Sequence, residues 1–209
     1  MSAYAVPARS AEGEVTDRGS RFLARVERVP DDAAARAVVE EARSRHHDAR
    51  HHCSAWIVGP PGPQQVLRSH DDGEPSGTAG APMLEVLAGR DLSDAVVVVT
   101  RWFGGTLLGA GGLVRAYGDA ARAAVDAAGV QRRELRVTLR AVVPHAEAGR
   151  VEHALRSAGA QVVDIAYAAA VTLDVAVEPA AVERTHALLA ALTGGSVTAE
   201  VAGERWIDL

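Results

Sequence analysis

Hydrophobic and polar positions in the first part of the chain follow two different periods. Apolar and charged side chains alternate in residues 20–29, which predicts a half-buried strand, whereas the apolar run of residues 95–103 predicts a strand buried on both faces. Residues 31–47 have apolar side chains at helical spacing behind Asp31, a residue type that caps helices. The remaining predicted elements here are strands at residues 52–58 and 65–69 and helices at residues 81–88 and 113–128. Residues 1–19 are predicted to form no helix or strand, and we expect a flexible tail there.

The pattern restarts after Gly129, a residue type that commonly ends helices. The segments that follow predict the order strand, helix, strand, strand, helix, strand, which is the ferredoxin-like (βαββαβ) plait. These elements are predicted at residues 135–143, 146–158, 161–177 (two strands), 179–192 and 196–201. We therefore predict an α+β protein with a first domain over residues 20–132 and a second over residues 133–209.

Composition narrows the possible functions. The 209 residues are 48 % hydrophobic and 23 % charged, which is typical of a folded globular protein. A net charge of −5 argues against a general polyanion binder, so any nucleic-acid site must be a local patch. Every basic residue is arginine, and without lysine the chain is neither a P-loop NTPase nor a Schiff-base enzyme.

Cysteine usage and apolar run lengths indicate the compartment. Cys53 is the single cysteine, which excludes an internal disulfide and a cysteine-rich metal cage. Residues 1–17 have no apolar core typical of a secretion signal, and the apolar runs are too short to cross a bilayer. We expect a cytoplasmic protein with no membrane partner, no cofactor and no bound metal.

A polar, glycine-rich loop at residues 71–80 is the first candidate for chemistry. It has three carboxylates within four positions, which are those of Asp71, Asp72 and Glu74. These carboxylates could hold a hard cation such as Mg²⁺, or they could pair with Arg101 and Arg115. The hydroxyls of Ser76 and Thr78 precede a predicted helix and can cap it. The alternative is a structural loop whose side chains only fix the backbone.

The second candidate begins where the buried strand ends in Arg101. A glycine-rich loop, residues 104–112, follows and leads into the helix that carries Arg115. Glycine allows backbone to approach a ligand or another loop closely. The loop does not complete a dinucleotide-binding motif, because Val114 stands where the third glycine belongs. The arginines and the acids of the first loop could equally form a buried network that only specifies the fold.

Histidines near Cys53 are the third feature. His52 and Cys53 are neighbours in a predicted strand, so their side chains point to opposite faces and cannot form a nucleophile–base pair. Cys53 is expected to face the core, which leaves the His52 face available for a ligand. Zinc is disfavoured because the chain offers only one thiolate.

These segments together resemble the IMPACT family, in its bacterial YigZ-type branch. The segments that carry the resemblance are His52-Cys53, residues 71–80, residues 101–105 and residues 108–117, which end in Tyr117. The resemblance implies a first domain of the ribosomal-protein-S5 domain-2-like fold and a second domain like the last domain of elongation factor G. Eukaryotic members of the family restrain a translation-initiation-factor kinase by competing for its activator protein.

Three functions remain open. The favoured one is a non-catalytic regulator of translation that binds RNA, the ribosome or a translation factor, with no catalytic residue assigned. Its expected ligand-binding residues are His52, Asp71, Asp72, Glu74, Ser76, Thr78, Arg101, Arg115 and Tyr117. The alternative is a Mg²⁺-dependent phosphoester or nucleotide hydrolase that uses the three acids of the first loop. A third possibility is an adaptor protein with Trp56 and Trp102 as exposed anchors, unless both lie in the core. The oligomeric state is left open.

Overall fold

The computed structural model describes residues 3–209, which divide into a first unit, residues 3–132, and a second unit, residues 133–209. Within that range, the helices all lack the length and apolar character that crossing a bilayer requires. Residues 1 and 2 of the expected tail lie outside the described residues.

A five-stranded sheet forms the centre of the first unit. Its strands are β2 (Ala11–Asp17), β3 (Ser20–Arg28), β4 (His51–Val58), β5 (Val66–His70) and β6 (Ala95–Trp102). The first strand of the chain, β1 (Ala3–Pro7), is not part of this sheet. The helices are α1 (Asp32–Arg45), α2 (Gly80–Gly89) and α3 (Gly109–Ala128). The sheet order is β2-β3-β6-β4-β5, and each neighbouring pair is antiparallel. The central strand β6 is therefore the one predicted to be buried on both faces.

Helices cover both faces of this sheet. Val97 and Val99 of β6 pack in the cluster that contains α2 and α3, whereas Val96 and Val98 pack in the cluster that contains α1. Asp31 caps α1 as predicted, because its Oδ1 accepts a hydrogen bond of 2.8 Å from the Ala34 N–H. Since side chains alternate across a strand, the two clusters use alternate residues of one apolar run.

The prediction of a flexible tail is wrong for residues 3–19, the part of that segment that the structure describes. Residues 11–17 form β2, which pairs with β3 along its whole length, from Ala11 opposite Val26 to Asp17 opposite Ser20. Strand β1 is also held, since the Ser93 N–H donates to the Ala5 carbonyl at 2.8 Å. The sequence of β2 alternates small and acidic residues, which is the period of a strand. Because the strand has no large apolar side chains, the pattern is weak.

The second unit is an antiparallel plait. Its elements are β7 (Val130–Val143), whose first residues belong to the first unit, α4 (His145–Ser157), β8 (Gln161–Tyr167), β9 (Val171–Val177), a 3₁₀ turn (Pro179–Ala181), α5 (Val182–Thr193) and β10 (Ala199–Asp208). The pairings give the order β10-β7-β9-β8 and confirm the ferredoxin-like topology. Strand β10 continues beyond the predicted end because a register shift between Val201 and Gly203 lets pairing resume.

We predict that Gly13→Ala lowers the free energy of unfolding by about 1–3 kcal/mol, because a Cβ there would lie 2.4 Å from the Ala124 backbone nitrogen in α3. Gly89→Ala is the matched control, since nothing lies within 4 Å of the Cβ it would add. Urea denaturation of both variants measures the difference. Equal stabilities would show that α3 does not pack closely on β2.

Candidate functional site

The two predicted loops meet at a buried ion pair. Nη1 of Arg101, near the end of β6, donates to Oε1 of Glu74 at 2.5 Å. The side chains are only 7 % and 4 % exposed, respectively. Nη2 of Arg101 also lies 3.4 Å from the Ser20 hydroxyl. The guanidinium thus joins the loop of residues 71–80 to β3 and β6.

Tyr117 of α3 completes this pair. Its hydroxyl donates to the same Glu74 oxygen at 2.7 Å, and the Cys53 sulfur lies 3.3 Å from the Tyr117 oxygen and 3.0 Å from the Asp71 carbonyl. Burial raises the pKa of Cys53 to about 12, and burial together with the neighbouring Cys53 and Glu74 raises the pKa of Tyr117. Both groups therefore stay protonated at neutral pH and serve as neutral hydrogen-bond donors.

The Asp71 carboxylate organises its own loop. It accepts hydrogen bonds from the backbone N–H groups of Gly77, Ala79 and Gly80 at 2.8, 3.0 and 2.8 Å. Burial alone would raise the pKa of Asp71, but these three N–H donors lower it. Because Gly80 is the first residue of α2, Asp71 acts as the cap of that helix.

The two hydroxyls of the loop do not cap α2 as predicted. The Thr78 hydroxyl is buried and donates to the Pro75 carbonyl at 2.6 Å. Ser76 is exposed, and its hydroxyl makes no hydrogen bond within residues 3–209. Asp71 supplies the cap from a position that precedes Gly80 by nine residues.

Asp72 joins the loop to α1 and β4. Its carboxylate accepts from Nη2 of Arg43 at 2.9 Å and from the His52 backbone N–H at 2.7 Å. Nδ1 of His51 lies 2.9 Å from the Asp72 carbonyl. Sequence reasoning missed Arg43, because it is 29 residues from Asp72 in the chain and belongs to no recognisable motif.

The side chains of His52 and Arg115 do not join the other predicted residues. His52 is 6 % exposed and lies 3.2 Å from the Thr100 hydroxyl, on the sheet face opposite Cys53, and burial lowers its pKa. Arg115 is exposed on α3 and forms no ion pair with Glu74. Residues two apart on a helix point in nearly opposite directions, so Tyr117 faces the sheet and Arg115 faces away.

The hydrolase alternative gains no support from this geometry. Asp71 accepts from backbone, Asp72 from Arg43 and His52, and Glu74 from Arg101 and Tyr117. Within residues 3–209, no three His, Cys, Asp or Glu side chains are grouped so that they could hold a metal ion. The carboxylates that are adjacent in sequence therefore do not face a common point.

The exposed anchors differ from those considered for an adaptor. Trp56 is 2 % exposed and donates to Asp32 at 2.9 Å, and Trp102 donates to Asp48 at 2.8 Å. The exposed apolar side chains beside the site are instead Phe103, which is 42 % exposed, and Leu107, which is 82 % exposed.

A cavity of about 400 Å³ opens beside the ion pair. It is lined by Arg50, His51, Glu74, Pro75, Arg101, Phe103, Leu107, Leu108, Gly109, Ala110 and Leu113.

Helix α3 begins at Gly109, four residues before its predicted start at Leu113. Three of these four residues are glycine, which is why sequence reasoning treated them as loop.

Comparisons with known proteins identify the family. The Impact N-terminal domain model matches residues 18–125, and a domain of unknown function (DUF1949) matches residues 142–196. The chain belongs to the IMPACT family. IMPACT family member YigZ of Escherichia coli (strain K12) is 36 % identical over 94 % of this chain and 97 % of its own length. IMPACT family member YvyE of Bacillus subtilis (strain 168) is 35 % identical over 93 % and 89 %.

A solved relative supports the fold of this IMPACT family chain. The crystal structure of a hypothetical protein has 36 % sequence identity and a TM-score of 0.66. The match covers 96 % of this chain and 98 % of the other. The α+β fold class predicted from the sequence is confirmed.

We predict that Glu74→Gln lowers the free energy of unfolding by about 3–5 kcal/mol, because it leaves the buried Arg101 charge without a counter-ion. The double variant Glu74→Gln/Arg101→Met removes both charges and should recover much of this loss. Chemical denaturation of the two single variants and the double variant measures the coupling. Asp126→Asn is the control: its pair with Arg90 is about half exposed, so the loss should stay below about 1 kcal/mol. Simple additivity of the two single variants would contradict the role given to the ion pair.

Asp71→Asn should weaken the fold by about 1–2 kcal/mol at pH 7, since an amide is a poorer acceptor for three N–H groups. The folded-state pKa of Asp71 lies below its ordinary value of 3.8, so its ionised form stabilises the fold above pH 3.8. This stabilisation is lost as pH falls through the folded-state pKa. The stability gap between wild type and variant, measured by urea titration, should therefore narrow in acid. A gap independent of pH would rule out the carboxylate as its source.

Proposed function

We propose that this chain is a non-catalytic regulator of translation that binds RNA, the ribosome or a translation factor. Its binding site is the two-loop surface, defined as residues 71–80 and 101–117 together with Arg50. Membership of the IMPACT family supports a role in translation. The resemblance described above implies this role, because eukaryotic members restrain a translation-initiation-factor kinase by competing for its activator protein. The bacterial relatives share both domains over most of their length.

The observation that carries the proposal is the engagement of every acidic side chain of the first loop by protein donors. Asp71, Asp72 and Glu74 are each held by two or more hydrogen bonds, so these three carboxylates are engaged by the protein itself. Phe103 and Leu107 remain exposed beside them, and exposed apolar side chains that lie together are typical of an interaction surface.

The two-loop surface is also fixed before any partner arrives. Buried bonds from Arg101 and Tyr117 to Glu74 hold the first loop to β6 and α3. A surface held in its binding conformation loses less conformational entropy on association. This rigidity suits recognition of a large partner by a small protein.

Local charge favours an anionic partner despite the net charge of −5. Arg50 is exposed, and no described carboxylate lies within salt-bridge distance of it. The start of α3 adds the partial positive charge of a helix N-terminus. With so few positive groups, affinity for RNA should be modest and should fall as salt is raised.

We expect Leu107→Asp to weaken partner binding at least fivefold, because it places a charge at the most exposed apolar position of the surface. Partner binding is measured by co-sedimentation with ribosomes, filter binding to structured RNA, and calorimetry with purified translation factors. Val201→Asp in the second unit is the control, since Val201 is also exposed, at 62 %. Absence of binding to all three partner classes at low salt would overturn the proposal, as would equal losses in both variants.

A further inference from the structure

We propose that the cavity beside the ion pair binds a nucleoside monophosphate unit. The phosphate would lie at the start of α3 near Arg50, and the base would lie against Phe103. The inference deepens the proposed function and rests on it where the unit belongs to an RNA.

The start of α3 provides a cradle for an anion. Leu108, at the N-cap position, has no side-chain acceptor for the first N–H groups of this 20-residue helix. Leu108 is right-handed, with φ −85° and ψ −25°, whereas Gly109 has φ +72°. Such a change of hand can turn successive N–H groups towards one point, where an anion binds. Apart from chain neighbours and the backbone of the helix itself, no atom lies within 4 Å of the Cβ positions of Gly109 or Gly111, so a ligand can approach the backbone closely.

Arg101 is an independent sign of a ligand at this place. Its side chain is 7 % exposed and lines the cavity, yet its Nε has no hydrogen-bond acceptor within residues 3–209. Arg50 lines the same cavity and has no carboxylate partner among those residues. Two guanidinium groups and the single Glu74 carboxylate leave one net positive charge around the cavity. A phosphate group beside the exposed Arg50 supplies the opposite charge.

The remaining walls suit a planar aromatic body. Phe103 is 42 % exposed, and the guanidinium carbons of Arg50 and Arg101 lie 5.9 and 5.7 Å from its ring centroid. Aromatic rings and guanidinium planes are the surfaces on which unpaired bases stack. Leucine side chains of the loop and of α3 complete an apolar lining. A volume of about 400 Å³ lies within the range of small-ligand sites.

Calorimetric titration of the whole chain with 5′-AMP tests the site, with adenosine and inorganic phosphate as partial ligands. We expect AMP to bind, adenosine to bind at least tenfold more weakly, and phosphate to compete with AMP. Arg50→Ala and Phe103→Ala should each weaken AMP binding about tenfold, because one removes a charged donor and the other the stacking surface. Arg122→Ala, which removes an exposed arginine of α3 outside both the cavity and the two-loop surface, should leave AMP affinity unchanged. Circular dichroism checks that each variant is folded.

Short single-stranded RNAs with and without a 5′-phosphate distinguish the source of the nucleotide. Tighter binding of the 5′-phosphorylated RNA than of AMP supports an RNA end, and binding of AMP alone supports a free nucleotide. The proposal is overturned if neither AMP nor phosphorylated RNA binds at millimolar concentration, or if Arg50→Ala binds as wild type does. Retained ribosome binding alongside absent nucleotide binding would reject the cavity and leave the proposed function standing. Nucleotide binding in the absence of binding to any partner from the translation apparatus would support the cavity and reject the proposed function.

Discussion

The ion pair between Arg101 and Glu74 is the interaction on which the candidate site depends. Two charged side chains buried this deeply are costly to remove from water, and the cost is offset only when their hydrogen bonds are well made. Glu74 accepts from both Arg101 and Tyr117, so one carboxylate fixes a loop, a strand and a helix together. Loss of either charged partner would leave the other as a buried charge without its counter-ion.

The acidic residues of the first loop hold parts of the fold together. Asp71 binds the backbone of its own loop and caps α2, and Asp72 joins α1 to β4. Three carboxylates close together in sequence suggest a metal site, but each side chain turns to the donors nearest to it. The groups left facing solvent include an arginine, a phenylalanine and a leucine, which belong to the binding surface that we propose.

Strong periods in the sequence were sufficient for most of the fold. The sequence pattern predicts strand β6 from its apolar run and helix α1 from its cap and helical spacing. It also predicts the order of strands and helices in the second unit. Strand β2 was missed because its inward positions are Ala11, Gly13 and Val15, which are too small to stand out. Small residues are what that position requires, since α3 lies against the backbone of Gly13.

The sequence by itself determined the element order from β3 onwards, the plait of the second unit and the meeting of an acidic loop with a glycine-rich one. Only the tertiary structure decided which side chains meet. It selected Arg101 and Tyr117 for Glu74 and turned Arg115 outwards, and it placed the His52 side chain beside Thr100 on the sheet face opposite Cys53. The physical reason is that local periods fix the direction of a side chain only relative to its own helix or strand. Which face is then covered depends on the packing of elements that are distant in the chain.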